Sequence, residues 1–303
     1  MQQRTLVKSY SFEGKGLHSG RIAHMSVGPA PVNTGIRFHR VDLGPDAFVD
    51  ALAENVSSTA RSTTISNGKT KVGTIEHILS ALTGLGIDNA LITIDSCEVP
   101  ILDGSARVYI DAMAADGFVE QDAERKWIEV RERTEIRNAK TGAYIVVEPA
   151  DEPDYDVTID FNSHVLGVQQ VRWNDSVDYA SEIGICRTFC FFHEILRLAF
   201  FGLVKGGDVD NAIVIVEKPT KARQLRRMAR LFGQDETLTV SPEGYLSNVN
   251  LRFPDECGRH KLLDLIGDFR LCGGFLKAKI TAYKPGHRLN TGAAKIIRQT
   301  INS

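Results

Sequence analysis

The nine residues His260-Lys261-Leu262-Leu263-Asp264-Leu265-Ile266-Gly267-Asp268 constrain this chain more than any other stretch. At 100° per residue in an α-helix, His260, Lys261, Asp264 and Asp268 fall within an arc of about 100°. Leu262, Leu263, Leu265, Ile266 and Phe269 occupy the remaining circumference, the side a hydrophobic core would take. The spacing predicts a buried helix with titratable groups gathered along one edge. His260 and Asp264 stand one turn apart, with Cβ atoms roughly 5–6 Å from each other. An imidazole nitrogen and a carboxylate oxygen at that spacing can meet one metal ion at bond lengths of about 2.0–2.2 Å. Such a pair more often forms a solvated ion pair, so a metal site needs a third ligand from elsewhere.

With 303 residues the chain has room for two domains with ordinary cores. Hydrophobic residues at 43% and charged residues at 24% are the proportions of a globular protein. A formal net charge of −2 leaves no chain-wide basic excess to displace counterions from nucleic acid. The five cysteines (Cys97, Cys186, Cys190, Cys257, Cys272) are odd in number and include no C-x-x-C pair. That argues against a disulfide framework and for a reducing compartment. No apolar h-region follows Met1-Gln2-Gln3-Arg4, and no run approaches the ~18 apolar residues that span a bilayer. A cytoplasmic location is expected.

In chain order, residues 3–41 read as short strands broken by glycine turns, with one strand over 22–27 and another over 36–41. Residues 60–65 read as one more. A helix is expected over 75–83, with Thr74 as its N-cap and Gly84 and Gly86 stopping it. A strand over 89–95 and an amphipathic helix over 105–116 follow. The composition then turns charged (Glu120-Gln121-Asp122, Glu124-Arg125-Lys126), which sets a domain boundary between 122 and 123.

Strands resume over 127–136 and 144–148, and the second half echoes the first. Ser19-Gly20 ahead of a run to Gly28-Pro29-Ala30 resembles Thr141-Gly142 ahead of a run to Glu148-Pro149-Ala150. Arg61-Ser62-Thr63 resembles Arg187-Thr188-Phe189. With His77 aligned on His260, Leu79 matches Leu262, Leu82 matches Leu265 and Gly84 matches Gly267. A strand follows each, over 90–94 and 277–282. The expected class is α+β: two pseudo-repeated β-α sandwich domains, residues 1–122 and 123–303, packed through their helices.

The repeat supplies the missing ligand. If the two helices face each other, His77, His260 and Asp264 make a three-ligand set with a fourth position open, as a catalytic zinc requires. Glu76, beside the first ligand, could take a proton from water there. Cys257 is a rival ligand only if the helix starts after it, since it precedes His260 by about 300° of rotation. Between Arg187 and His260 the second copy is much longer than the first. The excess holds an apolar run over 191–204 that suits a greasy cleft or a buried helix, and a strand over 210–216 after Gly206-Gly207. It also holds a basic helix-like run over 221–230, whose usual explanation is a solvated face.

Five motifs, in this order, together resemble the UDP-3-O-acyl-N-acetylglucosamine deacetylases, the zinc amidohydrolases of lipid A biosynthesis. They are Gly16-Leu17-His18-Ser19-Gly20, Thr74-Ile75-Glu76-His77, Arg187-Thr188-Phe189, the 260–268 block and Lys284-Pro285-Gly286-His287. Asp103-Gly104-Ser105-Ala106 and Ile159-Asp160-Phe161-Asn162 fit as well, and the likeness runs from end to end. The resemblance implies the two-domain sandwich with a βαβ-type insert in the second domain forming an acyl-chain passage. It implies zinc on His77, His260 and Asp264, and Glu76 as general base. His287, held by Asp268, would be the acid toward the leaving amine, while Lys261 and Thr188 would stabilise the oxyanion. His18 and Phe189 would contact the sugar and its surroundings, and Phe161 and Lys284 would lie toward the uridine diphosphate. Some members of that family are fused to a fatty-acid dehydratase, so the chain is also expected to be compatible with a longer polypeptide.

Overall fold

Two mixed sheets with one strand order organise the chain. The computed structural model describes residues 1–195, 211–231 and 238–302. In the first sheet the order is Tyr10–Lys15, Ile22–Pro29, Ala90–Ile94, Ile36–Arg40, Phe48–Asp50. The central Ala90–Ile94 runs antiparallel to Ile22–Pro29 and parallel to Ile36–Arg40. In the second sheet the order is Thr134–Arg137, Tyr144–Pro149, Phe275–Tyr283, Asp154–Asp160, Val168–Asn174. Its centre, Phe275–Tyr283, is antiparallel to Tyr144–Pro149 and parallel to Asp154–Asp160, so the senses match as well. Period-2 alternation buries one face of each sheet: Ala90, Ile92 and Ile94 in the first, Tyr155, Val157 and Ile159 in the second.

The helices lie where those faces meet. Glu76–Gly84 packs along Glu256–Phe269, and both belong to one continuous core with the two sheets. Their closeness has a steric reason: a Cβ on Gly267 would fall 2.0 Å from the backbone oxygen of Glu76. Ser80 Oγ, in the first helix, donates to the carbonyl of Leu263 in the second at 2.7 Å. The second helix begins earlier than its first-half counterpart relative to the aligned histidines, because Glu256 anchors its start. Its carboxylate, fully buried, accepts from Arg187 Nε at 2.9 Å, from the Arg187 amide at 3.1 Å and from the Arg252 amide at 2.6 Å.

Several expectations change in detail. Thr74 is not an N-cap: the cap is Ile75, without a side-chain bond, and the Thr74 hydroxyl instead donates to Glu98 Oε1 at 2.8 Å. The strand expected over 60–65 is Thr64–Asn67, preceded by Arg61 at φ 69°. One strand over 127–136 is in fact two. Trp127–Glu129 pairs parallel with the start of Phe275–Tyr283, whereas Thr134–Arg137 pairs with Tyr144–Pro149. The chain changes pairing partner between them, and no periodicity in sequence reveals that.

In the long insert, Phe189–Phe191 and Ile213–Ile215 form a parallel pair, which requires a crossover between them. The apolar run expected over 191–204 is described only as far as Ile195, and Gly206-Gly207 lie outside the described residues. Phe192 and Ile195 are buried in a satellite core with Val214, Val216, Met228 and Leu246. The basic run is a helix, Ala222–Leu231. Among the described residues no helix is long and apolar enough to cross a membrane.

Candidate metal centre

The contact between the two helices brings together residues 183 positions apart in the chain. His77 Nε2 lies 3.6 Å and His260 Nε2 3.5 Å from Asp264 Oδ1, and one donor atom from each of the three residues lies within 4.8 Å of the others. The imidazole rings meet edge to face, 5.0 Å between centroids. All three side chains are buried. These separations are too long for hydrogen bonds. They match the spread of donors around a tetrahedral cation, about 3.3–3.6 Å apart for bonds of about 2.0–2.2 Å.

Two further observations fit a cation. Asp264 Oδ1 is a buried carboxylate oxygen with no hydrogen-bond partner among the described residues, an expensive arrangement unless a cation completes it. His260 Nδ1 stands 3.1 Å from the carbonyl of Cys186, which assigns the ring proton to Nδ1 and leaves the Nε2 lone pair toward Asp264. The electrostatics agree. Burial, then His260, pushes His77 down to about 3, and burial lowers His260 too, so both rings are neutral. Burial would raise Asp264, but Lys261, then His260, outweigh it and hold the carboxyl well below the usual carboxylate range. The trio therefore offers two neutral nitrogens and one anionic oxygen, a suitable donor set for zinc. Cys257 sits inside the helix, buried, and burial raises its thiol, so the rival ligand is not among the group.

A second layer surrounds the trio. Lys261 Nζ donates to Asp264 Oδ2 at 2.6 Å. Burial pushes Glu76 up to about 8 against the pull of His287, and its Oε2 accepts from the Thr63 amide at 3.0 Å. His287 Nε2 faces Glu76 Oε1 at 3.9 Å, while its Nδ1 donates to Asp268 Oδ2 at 3.0 Å. Burial opposes the His287 cation, but Asp268 and then Glu76 raise it to about 9. Asp268, with no exposed surface, also accepts from Asn290 Nδ2 at 2.9 Å and from Thr63 Oγ1 at 2.5 Å. Glu76 and His287 thus form a facing pair beside the trio, each with its own support.

The remaining site residues are distributed around this group. The Phe189 ring lies 6.3 Å from that of His260 and 5.7 Å from Lys261 Nζ, and Phe161 meets Phe189 at 5.4 Å. Lys284 pairs with Asp160 at 3.1 Å, just before the exposed Phe161. The His18 amide donates to Glu98 Oε1 at 2.9 Å, and its Nε2 is buried without a partner among the described residues. Burial lowers His18 against the pull of Glu98, with Arg61 and His287 adding to the effect. Thr188 is half-buried, its amide donating to the carbonyl of Gly104 at 2.8 Å. Its hydroxyl makes no hydrogen bond among the described residues, so Thr188 is not joined to the group by one.

Sequence reasoning missed three contributors: Thr63, Asn290 and the Cys186 carbonyl. Thr63 was visible only as part of the Arg61-Ser62-Thr63 echo. Asn290 follows His287 by three positions on the His287–Asn302 helix, a spacing that places both on one face. A backbone carbonyl carries no sequence signal.

Comparison with known proteins places the chain in a family. The family model for UDP-3-O-acyl N-acetylglycosamine deacetylase matches residues 3–230 and 220–299. The chain is 39% identical over 300 residues to the bifunctional enzyme LpxC/FabZ of Porphyromonas gingivalis, covering 99% of this chain and 65% of that one. It thus spans just under two thirds of such bifunctional relatives. A UDP-3-O-acyl-N-acetylglucosamine deacetylase of Anaeromyxobacter is 40% identical over 290 residues (95% and 86% of the two chains). Another, from Pseudomonas entomophila, is 39% identical over 306 residues (99% and 90%). A match along nearly the whole length, with the two helices and their histidines inside it, means that the chain belongs to the UDP-3-O-acyl N-acetylglycosamine deacetylase family.

Proposed function

We propose that the chain removes the N-acetyl group from UDP-3-O-acyl-N-acetylglucosamine by zinc-dependent hydrolysis, the committed step of lipid A biosynthesis. One observation carries this reading: the buried, unpartnered Asp264 Oδ1 set between two neutral histidines, beside the Glu76–His287 pair. His77, His260 and Asp264 would hold the ion. Bound there, zinc would polarise the amide carbonyl and bring the pKa of water toward about 7.

The chain's own residues carry the proton traffic. Glu76, oriented by the Thr63 amide, takes the proton from the attacking water; a dication on the trio favours its ionised form, which burial alone disfavours. His287, kept cationic by Asp268, delivers a proton to the departing amine, giving acetate and the free amino sugar. The Lys261 ammonium adds fixed positive charge for the developing oxyanion, with the Thr188 hydroxyl as a further donor. Phe189 and His18 border the sugar, and Phe161 and Lys284 are directed to the uridine diphosphate. A chain that only bound a sugar nucleotide would have no use for an acid–base pair.

The test pairs metal analysis with acetate release from the UDP-sugar. Glu76→Ala is expected to keep its zinc and lose about 10²-fold or more in turnover, the scale of general-base loss. Asp264→Ala is expected to lose zinc and turnover together. Full zinc occupancy in Asp264→Ala removes that residue from the ligand set, and undiminished turnover in Glu76→Ala removes the base.

A further inference from the structure

We propose that the outer face of the Ala222–Leu231 helix is a docking surface for an anionic phospholipid bilayer. At 100° per residue, Arg223, Arg226, Arg227 and Arg230 occupy an arc of about 100°, and Leu225, Met228 and Ala229 lie opposite. Met228 and Ala229 are buried and all four arginines are exposed, so the helix is seated by its apolar side. Its first turn is tied down by the Lys221 amide donating to Gln224 Oε1 at 3.0 Å.

The arginines differ from others on this surface in being gathered on one face. Arg21, Arg61, Arg131 and Arg288 are also exposed without an ion pair among the described residues, but they are scattered along the chain. Arg4, Arg37, Arg107 and Arg172 each pair with a carboxylate. Among the described residues, no carboxylate pairs with the four on this helix. They also stand three or four positions from one another, a spacing at which like charges weaken a helix. In a chain of net charge −2, this local cationic row works against the stability of its own helix. A solvated face would mix the signs; an unmixed one is matched to an external anion.

The chemistry favours lipid over nucleic acid. The exposed arc has no aromatic ring on which a base could stack, and the chain as a whole is slightly acidic. The apolar side is already covered, so the helix would lie on headgroups without inserting, held by charge within a Debye length. Position adds a reason. The core beneath the helix contains Phe192 and Val214, which flank or belong to the parallel pair that carries Phe189, 6.3 Å from His260. Docking would turn that side of the molecule toward a surface where acyl-bearing amphiphiles collect; this link to catalysis rests on the function proposed above, whereas the docking itself does not.

Sedimentation of the full chain with vesicles tests the proposal. Binding is expected to phosphatidylcholine vesicles carrying about 30% phosphatidylglycerol, not to phosphatidylcholine alone, and to vanish near 0.5 M salt, roughly where charges are screened beyond about 4 Å. Replacing all four arginines by glutamine is expected to weaken partitioning at least tenfold, while replacement by lysine retains most of it. Metal content and turnover of a short-acyl, water-soluble substrate should stay unchanged in both variants, which shows that they fold. Equal partitioning of the glutamine variant, absence of binding at low salt, or binding to neutral vesicles overturns the proposal. Preferential binding of a short RNA over the anionic vesicles would assign the face to nucleic acid and overturn it as well. If wild-type turnover is absent but the vesicle result holds, the proposed reaction fails and the docking surface stands.

Discussion

The two halves of this protein share a sheet and differ in the helix laid on it. In both, five strands follow the same order with the same senses of pairing. The Glu76–Gly84 helix is buried from Glu76 to Leu82 and brings one imidazole and one carboxylate to the interface. The longer Glu256–Phe269 helix brings an imidazole, two carboxylates and an ammonium. Of the three candidate donors, His77 comes from the first half and His260 and Asp264 from the second. A donor set split across an interface couples metal binding to docking, so an ion that binds only the docked form also stabilises it.

The comparison can be broken at the glycines that stand seven residues after each histidine. On Gly267 a Cβ would meet the Glu76 backbone oxygen at 2.0 Å; on Gly84 it would meet the ring of Tyr179 at 2.0 Å. Backbone cannot swing aside, so Gly267→Ala must push the helices apart. It is expected to cost about 3 kcal/mol or more by urea unfolding, and to weaken zinc binding in a metal titration. Gly84→Ala should cost less and leave the metal affinity near wild type, because the obstacle is a side chain away from the trio. Equal metal loss in both variants would mean that the two glycines do not have different jobs.

A smaller effect concerns His287 and the Asp268 carboxylate that supports it. His287 is raised to about 9 in the folded protein, so in the metal-free chain its contribution is fully present below the unfolded value of about 6.5. It is lost as the pH rises through about 9. Between pH 6 and pH 8 the His287 part amounts to about 2 kcal/mol. It is read as the difference between wild type and His287→Gln in how far the urea midpoint moves, because Glu76, also raised, and the lowered His77 and His260 titrate in both proteins. Equal movement of the midpoint in wild type and His287→Gln would reverse the assignment.

The smallest expected effect concerns Asp268, which is held from both halves, by Thr63 and by Asn290. Thr63→Val removes one donor to a buried carboxylate, expected to cost about 1.5 kcal/mol, or about tenfold in kcat with KM nearly unchanged. Thr63→Ser should recover most of it. Loss of KM in place of kcat would show that Thr63 serves substrate binding instead.

Much of this site was legible because helical periodicity is a local property. The edge formed by His260, Lys261, Asp264 and Asp268 follows from spacing alone, and the echo around His77 pointed to the partner helix. The α+β class and the long insert were legible for the same reason. Less visible were features whose cause lies elsewhere in the chain. Thr74 has an N-cap residue's identity, yet its hydroxyl is taken by Glu98, a competing acceptor that arrives from another loop. The continuous strand pattern over 127–136 divides because its two ends pair with different neighbours.

The sequence by itself determined which side chains could be metal donors and on which faces of which helices they would stand, since 100° per residue leaves no freedom in that. Only the tertiary structure decided how near the two helices come, through Gly267 against the Glu76 backbone, and which proton His260 keeps, through the Cys186 carbonyl. It also decided that Thr63 and Asn290 converge on Asp268. Distances between residues far apart in sequence are set by packing and backbone hydrogen bonding, and a linear pattern carries neither.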